Sequence, residues 1–237
     1  MQLKIKIILD EPLELPVAYH HIQQAIIYKL MGDSKLHDGG YSYNNRIFKM
    51  FTFGPFKGKS RIEDGRIEFR DSVSMEFRCA VDSISEKMIL NISGNGITIG
   101  EKNFRDIIVT SSDNRIESED IIIKMLSPIT VRRTDPNSNK TIYFNPGDEF
   151  RQAVISNYIR KYSAFSEADS APEILFDVID VRSEDKYLTR YKDFIIEGYM
   201  GTYRLRGYWE ALDFLYNVGL GSKNSQGFGM FDIVTFS

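Results

Sequence analysis

Several shortages narrow what this chain of 237 residues can be. It has one cysteine, Cys79, so neither an intrachain disulfide nor a cysteine-built metal cluster can form; this fits a reducing compartment and makes the cytoplasm the expected location. It has three histidines, His20, His21 and His37, with no HExxH, no paired His-Cys spacing and no compact carboxylate cluster, so no catalytic metal or other cofactor is expected. No apolar run reaches membrane-spanning length, and the opening MQLKIKIILDEPLELP meets Asp10 and Glu11 too early for a secretory core, so no membrane partner is expected. Low-complexity tracts are absent as well.

What is present suits a globular protein. Apolar residues make up 42% and charged residues 27%, enough for one large or two small cores. The net charge of −3 argues mildly against a nucleic-acid partner, but its distribution is uneven. Residues 35–70 carry eight Lys/Arg against four acids, whereas residues 163–185 carry seven acids against Arg182 alone. The acidic run has no assigned role and is a candidate contact for another subunit.

Periodicity organises the chain. QLKIKIIL (2–9) alternates like a strand, and VAYHHIQQAIIYKLM (17–31) follows Pro16 with helical spacing. Ile22, Ala25, Ile26 and Leu30 make one stripe of that helix, and His21, Gln24 and Tyr28 fall on another face. Strands are predicted over 45–54, 65–70 and 72–80, a helix over 81–93 stopped by GNG, and a strand over 97–110. After the polar break SSDNRIESED (111–120) the order restarts. It gives strands over 121–133 and in KTIYFN, a helix over 148–162, strands over 173–183 and 191–207, a helix over 208–219 and a last strand over 227–236. Apart from one extra strand, each half reads β-α-β-β-α-β, so the expected class is α+β with two tandem ferredoxin-like domains, 1–115 and 116–237.

Between the last helix and the last strand lies GLGSKNSQGFGMF (219–231). It is not a Walker loop, because Lys223 is followed by Asn224, and it is not a dinucleotide fingerprint, because Asn224 replaces the third glycine. Glycines can take positive φ and bring backbone N–H groups close to an anion, so the loop Gly219, Gly221, Lys223, Asn224, Ser225, Gly227 and Gly229 is a candidate phosphate cradle. Arg132, Arg133, Arg204 and Arg206 are candidates to extend it. The basic 46–70 stretch, which sets Phe48, Phe51 and Phe56 among its cations, is a further candidate contact surface.

Gly-Leu-Gly, five residues, then Gly-Phe-Gly resembles the C-terminal loop of the RAMP superfamily of CRISPR proteins, most closely the repeat-cleaving Cas-six endoribonucleases. VAYHHIQQAIIYKL, KLHDGGYSYNNRIFKMFTFG, LSPITVRR and GYMGTYRLRGYWEALDFLYNVGLGSKNSQGFGM resemble it in the same order. The resemblance implies binding of the CRISPR repeat in precursor RNA and metal-independent cleavage by the RNA's own 2′-hydroxyl, leaving 5′-hydroxyl and 2′,3′-cyclic phosphate ends. It implies His37 for proton transfer, Tyr28 to contact the 2′-hydroxyl and Lys49 to neutralise the phosphorane, with His21 in reserve. A non-catalytic RAMP subunit that holds guide RNA is the alternative, and an unrelated ferredoxin-like nucleotide enzyme is a weaker one. Other interference-complex subunits and a second copy of the chain stay open as partners.

Overall fold

The computed structural model describes residues 1–166, 170–191 and 194–234; the expected strand positions 192–193 and 235–236, and residues 167–169 of the acidic run, lie outside the described residues. The chain begins with β1 (Gln2–Ile8), β2 (Leu13–Pro16), α1 (His20–Met31) and the short α2 (Lys35–Asp38). Then come β3 (Tyr41–Tyr43), β4 (Arg46–Phe48), β5 (Phe51–Phe53), β6 (Lys57–Glu63), β7 (Arg66–Cys79), α3 (Asp82–Asn95), β8 (Ile97–Ile99), β9 (Lys102–Phe104) and β10 (Ile107–Ser112). The main sheet runs β10-β1-β7-β2, with β5 and β6 also paired to β7, all antiparallel. Strand β1 shows why it forms: Leu3, Ile5 and Ile7 point into the core while Lys4 and Lys6 face water.

A second sheet follows the same logic. The unit that holds it begins with β11 (Asp120–Met125), β12 (Arg132–Thr134), β13 (Thr141–Tyr143), α4 (Asp148–Ser166) and β14 (Ile174–Asp180), with β12 and β13 paired apart from the sheet. These lead to β15 (Lys186–Tyr191), β16 (Phe194–Tyr199), β17 (Thr202–Gly207), α5 (Trp209–Val218) and β18 (Phe231–Ile233). The order β14-β17-β11-β18 places the unit's first and third strands centrally, as in the first sheet, and helices α4 and α5 pack on one face. The protein is therefore α+β, built from two ferredoxin-like units, each with its own buried cluster.

The departures from the periodic reading are local and physical. Residues 65–70 and 72–80 form one continuous strand, β7, and β6 pairs with it across the Asp64-Gly65 turn. There both turn residues have positive φ, as a two-residue hairpin requires. Asn44 and Asn45 do the same between β3 and β4. The expected strand over 45–54 breaks at Met50, whose φ of 53° is uncommon for a side chain of this size. That kink sends Met50 into the second core and Phe51 and Phe53 into the first, so strict alternation fails there. The strand expected over 97–110 is three short ones, broken by the turn at Gly100. On α1 the buried stripe is Gln23, Ile26, Ile27 and Leu30 rather than one containing Ala25; Gln23 is tolerated inside because its amide donates to the Gly54 carbonyl.

The two units are cross-linked by buried polar contacts. Arg78 on β7 donates to the Phe231 carbonyl at 2.6 Å and lies over the Tyr216 ring. His20, at the start of α1, stacks on both Tyr19 and Phe228 at 5.6 Å, and burial lowers its pKa to about 4. Because the folded-state value lies below the unfolded 6.5, the unfolded chain binds the extra proton between the two values, and stability falls as pH falls through that window. In urea unfolding at pH 7 and pH 4.5, the wild type should lose about 2–3 kcal/mol more than His20→Phe over that step. Equal losses would show that His20 is not held neutral.

Candidate active site

The glycine loop is shaped by contacts that leave no room for side chains. Gly219, Gly221, Gly227 and Gly229 all have φ between 66° and 89°. A Cβ on Gly229 would lie 1.9 Å from the Leu220 carbonyl oxygen, and one on Gly227 would lie 2.8 Å from the Phe53 ring. Asn224, in a 3-10 turn (Asn224–Gln226), braces the loop from within: its Nδ2 donates to the carbonyls of Leu220 and Phe228, both at 2.9 Å, and its Oδ1 accepts from Lys161 at 3.1 Å. The sequence points to Asn224 as a phosphate holder, but its side chain is committed to the loop itself. Most of the backbone is committed too. The N–H groups of Gly219, Leu220, Ser222, Gln226, Gly227 and Gly229 donate to carbonyls of the loop or of its immediate supports.

The loop's next residue reaches the first unit. The Ser225 carbonyl accepts from Gln24 Nε2 at 2.7 Å, and the Ser225 side chain lies near enough to the Tyr28 phenol to lower its pKa. The face of α1 carrying Gln24 and Tyr28 thus meets the loop. Burial pushes the Tyr28 phenol up from its ordinary value, more than Ser225 lowers it, so the phenol stays protonated near neutral pH. The His37 ring, on α2, sits edge-on to the Tyr28 ring at 5.4 Å. Lys49 follows β4 and is aimed inward by the kink at Met50. Its Nζ donates to the Leu36 and His37 carbonyls at 3.0 and 2.9 Å and lies 5.6 Å from the Tyr28 ring centre. Tyr28, His37, Lys49 and Ser225 therefore form one cluster. His21 is apart from it, exposed, with Nδ1 against the Ala18 carbonyl.

Beside the cluster opens a cleft of about 500 Å³ between β4, β12, α4 and the loop. Its lining includes Arg46, Lys49, Arg132, Arg133, Arg160, Lys161 and Lys223, and among the described lining residues there is no carboxylate. The cations disturb one another. Burial and then Arg132 lower the Lys223 pKa, and burial and then Arg46 lower that of Arg160. Such a cleft suits a polyanion.

Other expected binders are elsewhere. Arg204 pairs with Asp120 and Arg206 with Asp177 on the outward face of the second sheet, so they do not line the cleft, and Asp177 of the acidic run is thereby explained. Phe51 and Phe56 are core residues, so neither can serve as a stacking platform. Lys57, Lys59, Arg61, Arg66 and Arg70 of the basic stretch each pair with an acid. Sequence reasoning misses Arg160 and Lys161, and reaches Arg46 only as part of the basic 46–70 stretch. Lys161 has a signal: it follows Phe150, Val154 and Tyr158 on the buried stripe of α4, where a lysine is out of place.

Paired ferredoxin-like units joined through a glycine-rich loop over a cationic cleft define an RAMP-type protein. The sequence matches the family described as CRISPR associated protein Cas6, C-terminal, over residues 110–233, just over half of the chain, and the chain belongs to that family. It is 22% identical to CRISPR-associated endoribonuclease Cas6 1 of Methanocaldococcus jannaschii, over 97% of this chain and 91% of that protein. Two solved structures share its fold. A CRISPR associated protein Cas6 gives a TM-score of 0.76 at 21% identity and 99% coverage of both chains. An RAMP protein binding different RNA substrates gives 0.77 at 22%, covering 99% of this chain and 100% of that one.

The loop packing is open to a direct comparison of two glycines. Gly65 and Gly229 have similar φ, 72° and 77°, but a Cβ on Gly65 meets nothing within 4 Å. Gly65→Ala should cost about 1 kcal/mol of stability and Gly229→Ala about 3 kcal/mol or more, read by urea denaturation. Equal costs would mean the loop is not packed as described.

Proposed function

We propose that the protein is a CRISPR-associated endoribonuclease that binds the repeat of precursor CRISPR RNA and cuts it by attack of the adjacent 2′-hydroxyl on the scissile phosphate. The products carry 2′,3′-cyclic phosphate and 5′-hydroxyl ends, and no metal takes part. The observation that carries this reading is the meeting of Tyr28, His37 and Lys49 with the glycine loop beside a cleft whose described charged lining residues are all cations.

The geometry supports the roles that the resemblance implies. His37 transfers the proton, imidazole being the side chain best suited to that task near neutral pH. Tyr28, protonated and beside Ser225, orients the nucleophile by hydrogen bonding and is no base. The Lys49 ammonium both stabilises charge on the phosphorane and ties the backbone at residues 36 and 37 into place. Arg46, Arg132, Arg133, Arg160 and Lys223 neutralise flanking phosphates. The 1–115 unit contributes the reacting groups and the 116–237 unit the loop and most of the cleft.

The experiment is incubation with labelled repeat RNA from its own host in excess EDTA, beside the same RNA with a 2′-deoxy at the cut. One cut with a cyclic phosphate end, lost in the deoxy substrate, is expected; tight binding without cutting would make the protein a guide-RNA holder. His37→Ala should slow single-turnover cleavage by about 10²–10⁴ while repeat binding survives. Unchanged cleavage would remove His37 from the mechanism. Replacing Arg132 and Arg133 by alanine should weaken binding and lower the slope of log K against log salt by about 1–2, whereas the Arg204, Arg206 double variant should leave that slope nearly unchanged. The reverse pattern would move the RNA to the second sheet.

A further inference from the structure

Lys161 is unlike the other cations of the cleft. It is 3% exposed, comes from the core side of α4, and uses its Nζ inward, donating to the Gly219 carbonyl and to Asn224 Oδ1. Those acceptors are the first residue of the loop and its internal brace. The next residue, Ser225, is the one that engages Gln24 and Tyr28. A continuous chain of contacts therefore runs from Lys161 through Asn224 and Ser225 to Tyr28, His37 and Lys49.

We propose that Lys161 is a positioning residue: its buried ammonium fixes the glycine loop so that Ser225 holds Tyr28 in register with His37 and Lys49. The inference rests on the endoribonuclease reading for its effect on cleavage, and on the free protein alone for its effect on the loop. The ammonium meets only neutral oxygen acceptors. The charged groups among the described lining of the surrounding cleft are Arg46 on β4, Lys49 just after it, Arg132 and Arg133 on β12, Arg160 on α4 and Lys223 in the loop, all cations. Burial lowers the Lys161 pKa to about 7, so the clamp is charged at pH 6 and largely neutral by pH 8.5. Since the folded-state value is depressed, the charged form opposes folding. An apolar residue of similar length should be tolerated, but should lose the clamp.

The test compares the wild type with Lys161→Met and Lys161→Arg by thermal unfolding, hydrogen-exchange protection of the loop amides and single-turnover cleavage at saturating repeat RNA. Lys161→Met is expected to fold, to lose tenfold or more in protection at Gly219, Leu220, Ser222, Gly227 and Gly229, and to cut tenfold to a hundredfold more slowly. Lys161→Arg, which keeps a cation able to donate to the same two acceptors, should retain more of that protection than Lys161→Met. Unchanged loop protection in Lys161→Met overturns the proposal even if the wild type cuts RNA. Should that variant not fold, Lys161→Gln, whose shorter neutral side chain keeps a polar head, takes its place, and unchanged loop protection in it overturns the proposal. If the loop loosens as described but the wild type cuts no repeat RNA, the clamp stands and the endoribonuclease reading falls.

Discussion

Asn224 donates twice within a loop of barely a dozen residues and accepts from Lys161 of α4, and the four glycines around it exist because that arrangement has no space for Cβ atoms. A buried amide left unpaired would cost about 1–3 kcal/mol, so the loop's conformation and the Asn224 bonds require one another. Everything at the site depends on this fixed loop. It closes one wall of the cationic cleft, it buries His20 through Phe228, and it delivers Ser225 to the face of α1. The second unit thereby reaches across to complete a cluster whose other members all come from the first.

Charge explains the remainder of the cleft. Arginines and lysines from β4, β12, α4 and the loop converge without a compensating carboxylate among the described lining residues, although the chain as a whole carries a net charge of −3. Basic residues of the β6–β7 hairpin and of the outward face of the second sheet, by contrast, have acidic neighbours. Paired surface charges of that kind contribute little and attract little. The converging cations of the cleft mark where a phosphate backbone would recover the energy of bringing like charges together.

Much of this is legible in the letters. Alternation in QLKIKII, the helical spacing after Pro16 and the repeated strand and helix order lead to two ferredoxin-like units, because each pattern reports burial of one face. The loop's glycines signal positive φ by residue type alone. What periodicity misreads is what depends on neighbours. Asn224 looks like a ligand-holding amide until its acceptors 4 residues away are seen, and Arg204 and Arg206 look like free cations until β11 and β14 bring Asp120 and Asp177 beside them. Met50 shows a second limit. Its positive φ, dictated by two cores claiming successive residues, is invisible in a run that reads as an ordinary strand.

The central claim is that the loop-completed cluster, and not an open sheet face, is where RNA reacts. The most direct measurement is a crystal structure of the protein with repeat RNA made uncleavable by a single 2′-deoxy at the cut. The account predicts the scissile phosphate within hydrogen-bond reach of the His37, Tyr28 and Lys49 side chains, with flanking phosphates on Arg132, Arg133 and Lys223. Phosphates lying instead along Arg204 and Arg206, with the cleft empty, would contradict it.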